Sequence, residues 1–122
     1  MAKVAVVGAN GQVGAEICLL LRRDPAIELV PICRNPSGSS FLRWHGVRCR
    51  HGRLVDPADA ARLIGDCGVV INLALAGGTP REMLKAEAAL IENACRFAPG
   101  AISVYFSTVM VYGDPRPHAR IR

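Results

Sequence analysis

Apolar and polar positions along the chain follow two rhythms, one of short unbroken runs and one of helical spacing. Lys3 to Val7 is a mostly β-branched run that stops at Gly8, and from Gln12 to Arg23 the apolar Val13, Ile17, Leu20 and Leu21 recur at helical intervals. This predicts strand, tight loop, helix. Asp24-Pro25 breaks the helix, and Ile27 to Cys33 reads as a second buried strand. Pro31 lies inside that run and has no amide proton, which favours a place near a strand end or bulge. Asn35 to Ser40 has the composition of a loop, and Gly46 to Val55 holds a short third strand with an arginine-rich solvent face.

The second half carries clear helix starts. Asp56 can cap a helix, Pro57 needs no donor at the first helical position, and Asp59 suits the positive helix end. That helix runs to about Ile64 and Gly65 ends it. Val69 to Ala74 is apolar without alternation, as in a parallel strand covered on both faces. Thr79 and Glu82 have capping-box spacing and open a helix to about Phe97, stopped by Pro99-Gly100. Ala101 to Phe106 is the fifth strand. Alternating strands and helices join as right-handed βαβ units, so the expected fold is α/β. It is a doubly wound parallel sheet of about five strands, order 3-2-1-4-5, with helices on both faces.

Composition narrows the picture. Of 122 residues, 51% are hydrophobic and only 5% aromatic, which suits one domain with an aliphatic core. Disorder, collagen and coiled coil are excluded. Val4 to Val7 is too short for a signal peptide's apolar region, and no segment reaches the roughly 20 apolar residues of a membrane span. A cytoplasmic protein away from the membrane is expected. Five widely spaced cysteines without C-x-x-C argue against a disulfide framework or zinc ribbon, so reduced core thiols are expected.

The formal charge of +5 comes largely from Arg43, Arg48, Arg50, Arg53, Arg116, Arg120 and Arg122. No aromatic platform or recognition motif for nucleic acid accompanies it, and it suits an anionic cofactor equally well. His45, Cys49 and His51 have neither a fourth ligand nor a zinc spacing, so no metal site is expected. Cys33 reads as a buried strand thiol in preference to a redox sensor, and Trp44 as a partly buried anchor for the long loop.

The loop Gly8-Ala9-Asn10-Gly11-Gln12-Val13-Gly14 follows the first strand and opens the first helix. There small residues let backbone N–H groups and the positive helix end approach a pyrophosphate. Gly8 allows the tight turn, Gly11 the close approach and Gly14 the packing of helix on strand. This is a dinucleotide loop by context. Arg34 stands 20 residues after Gly14, where a carboxylate would select NAD by its ribose hydroxyls and an arginine accommodates a 2′-phosphate. NADP is therefore expected, with NAD as the alternative.

At this point the residues resemble the extended and atypical short-chain dehydrogenase/reductases, which include nucleotide-sugar epimerases, dehydratases and reductases. Gly8 to Gly14 is similar to their G-x-x-G-x-x-G loop. Val70-Ile71-Asn72-Leu73-Ala74 is similar to the fourth-strand segment that lines the cofactor. Ser107-Thr108-Val109-Met110-Val111-Tyr112-Gly113 is similar to their S-[ST]-x-x-V-Y-G motif. The resemblance implies a Rossmann domain over 1–122, with Asn10, Gln12, Val13, Leu73 and Ala74 beside the cofactor. It implies Thr108 as the catalytic hydroxyl that hydrogen-bonds the reacting substrate oxygen.

Two departures stand out. The family's catalytic tyrosine lies in Y-x-x-x-K, some 25 residues or more beyond the Ser/Thr, and no such pair occurs in this sequence. The family often has Gly-Asp before the third helix, its Asp meeting the adenine amino group, whereas Gly52 is followed here by Arg53. Adenine contact is then expected at the Leu54 backbone. As a further mismatch, the asparagine the family often has early in the fourth helix is not evident, because its position falls around Met83 and Leu84.

The expectation is a cofactor-binding part of an NADP-dependent epimerase, dehydratase or reductase, ending before the substrate-binding region. The alternative is a stand-alone nucleotide-binding, redox-sensing or regulatory module. In the first case the fifth strand is a bare sheet edge, which predicts association as a homodimer.

Overall fold

The computed structural model describes residues 1–75 and 77–106. Its elements are β1 (Ala2–Val7), α1 (Gln12–Leu21), β2 (Ile27–Cys33), a 3-10 turn (Ser37–Ser39) and α2 (Ser40–Trp44). After these come β3 (Arg50–His51), α3 (Pro57–Ile64), β4 (Val69–Asn72), α4 (Pro80–Phe97) and β5 (Ile102–Tyr105). All pairings are parallel and the order is β3-β2-β1-β4-β5, as the alternation predicts.

The sheet is covered on both sides because its strands are apolar on both sides. On one face Val6, Cys33 and half-buried Ile71 meet Ala15 and Cys18 of α1 and Leu42 of α2. On the other, Ala5, Val7, Val30, Ile32 and Val70 meet Ala60, Leu63 and Ile64 of α3 and Leu90 and Ala94 of α4. Local capping starts two of the helices. Asp56 accepts from the Ala58 N–H at 3.0 Å, and Thr79 Oγ1 accepts from the Glu82 N–H at 3.2 Å.

Several expectations are corrected. Pro31 sits at neither a bulge nor a strand end but inside β2, opposite Val6. The Gly8 N–H donates to Ile32 O at 3.2 Å, so the peptide edge of Pro31 faces away from β1. On that side β3 begins only opposite Ile32, so no ladder bond is lost. The loop read over Asn35 to Ser40 contains the 3-10 turn and leads into α2, which the residue pattern does not predict; they are held by Ser39 Oγ donating to Pro36 O at 2.7 Å and by fully buried Leu42. Trp44 anchors nothing and is 83% exposed. A one-turn helix has a single buried position here, and Leu42 occupies it. β4 stops at Asn72 and β5 at Tyr105, each shorter than expected.

One polar cluster ties strand starts to the α3–β4 turn. Asp66 accepts from Arg50 at 2.7 and 2.9 Å and from Lys3 at 2.9 Å, while Arg50 also donates to Leu63 O at 2.9 Å. The Arg50 and Lys3 hydrogen bonds hold the Asp66 carboxyl well below the usual carboxylate range. A carboxylate with a lowered folded-state pKa contributes stability that is full above its unfolded value and is lost as pH falls through the lowered one. Asp66→Asn should therefore melt a few degrees lower than wild type at pH 7. The deficit should shrink as pH is taken below about 4. Thermal melts across pH check this, and a deficit independent of pH would rule the ion cluster out.

Candidate functional site

The β1–α1 turn is built by backbone crowding. Gly8 has φ +81°, and a Cβ there would lie 2.8–2.9 Å from the Leu73–Ala74 backbone that follows β4. A Cβ on Gly14 would collide with the Gly8 carbonyl and lie 3.0 Å from Ala9 Cα. Both glycines are demanded by the fold. Gly11 differs, because a Cβ there would meet only Gly8 O, at an ordinary 3.5 Å, and its φ is −73°. Nothing among the described residues requires its missing side chain.

Gly11 is also the N-cap of α1, with no side-chain cap and no acidic residue in the first turn, unlike α3 and α4. The first N–H groups of the helix are then open to an anion, and the helix end is positive. Gln12 and Val13 supply backbone N–H groups to this helix end, and the Val13 side chain, 59% exposed, lines neither the cleft nor the smaller cavity described below.

A cleft of about 1030 Å³ opens over the carboxyl ends of β1, β2 and β4, where the chain changes direction across the sheet. Gly8, Asn10, Gly11, Arg34, Leu54, Leu73 and Ala74 line it together. Its size lies at the upper end of the roughly 300–1,000 Å³ of small-molecule sites. Gln12 lines instead a smaller cavity of about 230 Å³ between α1 and α2, which shares Asn10, Gly11 and Gly38 with the cleft. Gly14 is buried under the turn. Thr108 and the rest of its motif lie outside the described residues.

Further wall residues were not singled out from the sequence. Asn35 Oδ1 accepts from Ser37 Oγ at 2.8 Å and from the Gly38 N–H at 2.9 Å, curling the loop after Arg34 back to the cleft. An Asn-Pro-Ser-Gly run is the available signal for such a turn. Buried Asn93 of α4 donates to Leu54 O at 2.7 Å and fixes the third-strand exit. Its signal was its place among Leu90, Ala94 and Phe97 on one helical stripe. Ser39 donates to Pro36 O, so His51 Nε2, 2.9 Å from Ser39 Oγ, is the donor in that contact. His45 packs its ring against Phe41 and Trp44, away from His51.

Cys33 adjoins the cleft but is only 1% exposed, and burial pushes its thiol up to about 12. It stays protonated, as an inert strand thiol does.

Comparison with known proteins agrees with this architecture. Triphenylmethane reductase of Citrobacter sp. superposes with TM-score 0.77 at 24% identity, covering 94% of this chain and 40% of that one. The NADPH-dependent quinone oxidoreductase of Escherichia coli gives 0.73 at 22%, covering 93% and 40%. UDP-glucuronic acid 4-epimerase of Bacillus cereus gives 0.69 at 21%, covering 93% and 41%. At these identities the likeness establishes the fold, and the chain spans about two fifths of the length of each. No curated protein sequence matches it. Residues 4–121 nevertheless match the family described as NAD dependent epimerase/dehydratase, over almost the whole chain, and the protein belongs to that family.

Proposed function

We propose that this chain binds NADP(H) in the cleft and is the cofactor-binding part of an epimerase, dehydratase or reductase. The observation that carries the reading is a single cleft running from the uncapped N-terminus of α1 to Arg34 at the end of β2. The α1 end offers backbone donors for the pyrophosphate. Arg34, exposed and without an ion-pair partner among the described residues, offers a bidentate donor for the 2′-phosphate. Related structures hold NADP(H), NADPH or NAD, so neighbours alone do not decide between the two cofactors.

The bound cofactor would supply hydride chemistry. This chain's residues bind and orient it, and Thr108 supplies one hydroxyl for a substrate oxygen. Without a Y-x-x-x-K pair in the sequence, residues 1–122 by themselves should bind NADP(H) with little or no turnover. No described helix is long and apolar enough to cross a membrane. All five cysteines are free, which suits the reducing cytoplasm.

Titration calorimetry should show NADP(H) binding more tightly than NAD(H), with Arg34→Ala erasing most of the difference. An unchanged preference in that variant would remove Arg34 from the 2′-phosphate, and no heat with either cofactor would end the binding reading.

The glycines separate fold from ligand. Gly14→Ala should cost about 3 kcal/mol or more of stability, because backbone atoms cannot yield to the new methyl group. Gly11→Ala should keep stability within about 0.5 kcal/mol while weakening NADP(H) about tenfold or more. Melting curves and titrations of both variants check this. Equal binding by Gly11→Ala and wild type would mean that no ligand approaches there.

Association is the remaining proposal. β5 pairs only with β4 among the described residues, and Ile102, Phe106 and Leu84 are 67%, 61% and 73% exposed. A second copy of the chain would cover this surface. Sedimentation should give a dimer at high concentration, and a monomer throughout would refute it.

A further inference from the structure

We propose that Arg53 acts with Arg34 as a two-arginine clamp on the cofactor's 2′-phosphate, so that Arg53 is a second determinant of cofactor choice. This rests on the NADP reading above. Arg34 directly follows the last residue of β2, and Arg53 stands two residues beyond the last residue of β3. The two strands are neighbours paired at Cys33 and His51, and the ladder continues through the Gly52 N–H to Cys33 O at 3.0 Å. Adjacent strands are about 4.8 Å apart, so the two residues stand at neighbouring strand exits, Arg53 one position further along than the partner level with Arg34. Both line the cleft.

The turn that presents Arg53 is anchored before any ligand arrives. Its N–H donates to Asp59 Oδ2 at 3.1 Å, and the next carbonyl, Leu54 O, accepts from buried Asn93. Asp59 is itself occupied by Arg62 at 3.1 Å, and neither the Arg53 nor the Arg34 guanidinium has an ion-pair partner among the described residues. Both guanidiniums are exposed at the rim of the same cleft. A phosphate monoester carrying about two negative charges can accept from both forks. The pyrophosphate would be held elsewhere, by the open N–H groups at the α1 end. An arginine at this position can only donate, so it cannot accept a hydrogen bond from an adenine amino group as a carboxylate would.

The test titrates wild type, Arg34→Ala, Arg53→Ala and Arg48→Ala with NADP(H), NAD(H), adenosine 2′,5′-bisphosphate and adenosine 5′-monophosphate. The Arg53→Ala chain keeps its backbone N–H to Asp59, and an unchanged melting temperature confirms that it folds. Arg53→Ala should weaken NADP(H) and the bisphosphate about tenfold, and leave NAD(H) and the monophosphate within about twofold. Arg48, exposed and outside the cleft, should change none of them. Equal losses for both ligand pairs would place Arg53 on the shared part of the nucleotide and overturn the clamp. Losses matched by Arg48→Ala would reduce it to a general field effect and overturn it too. A wild type without NADP preference would bring down the underlying reading as well. A preference erased by Arg34→Ala but untouched by Arg53→Ala would remove this inference alone.

Discussion

Where β1 turns into α1, three backbone segments lie closer together than any side chain permits. The Gly8 carbonyl sits under Gly14, and Gly8 itself lies against the Leu73–Ala74 backbone leaving β4. This approach sets the angle at which α1 leaves the sheet, and so aims the first N–H groups of the helix over the strand ends. It also holds the exits of β1 and β4 together at the point where the winding reverses. The cleft is the gap left when these exits and that of β2 separate above the sheet.

Much of this was legible because it is written in local chemistry. Asp56 and Thr79 cap in the way their spacing predicts, since a cap needs only its own next three residues. The strand order followed from alternation and handedness, which leave few topologies open. α2, which follows the Asn35–Ser40 loop, was missed for the opposite reason. A five-residue helix lies far below the length at which helices persist alone, so α2 exists through Leu42 in the core and Ser39 at the turn before it. No window of sequence contains those partners. Trp44 was misjudged by size: a single turn offers one inward position, and Leu42 fills it.

Legibility of the site divides along the same line. Its phosphate end is a motif because one segment supplies the donors and the space. The far end draws on β2, β3, α3 and α4, whose contributions meet only once the sheet forms. Asn93 illustrates this. It is 39 residues from the carbonyl it holds, and an unsatisfied buried carbonyl would cost about 1–3 kcal/mol. From the sequence it was only a polar residue on an apolar helical stripe.

This division bears on what the cleft can select. Gly8 and Gly14 are required by the chain's own packing, so their presence would persist whichever nucleotide the cleft took. Gly11, by contrast, is not required by the packing of the described residues. Discrimination must therefore come from side chains at the strand exits, where Arg34 and Arg53 stand on turns held by Asn35, Asp59 and Asn93. Such turns are stiff before binding, so little ordering is left to oppose the contact. A guanidinium presented this way can distinguish one phosphate, whereas the same group on a mobile loop would merely attract anions.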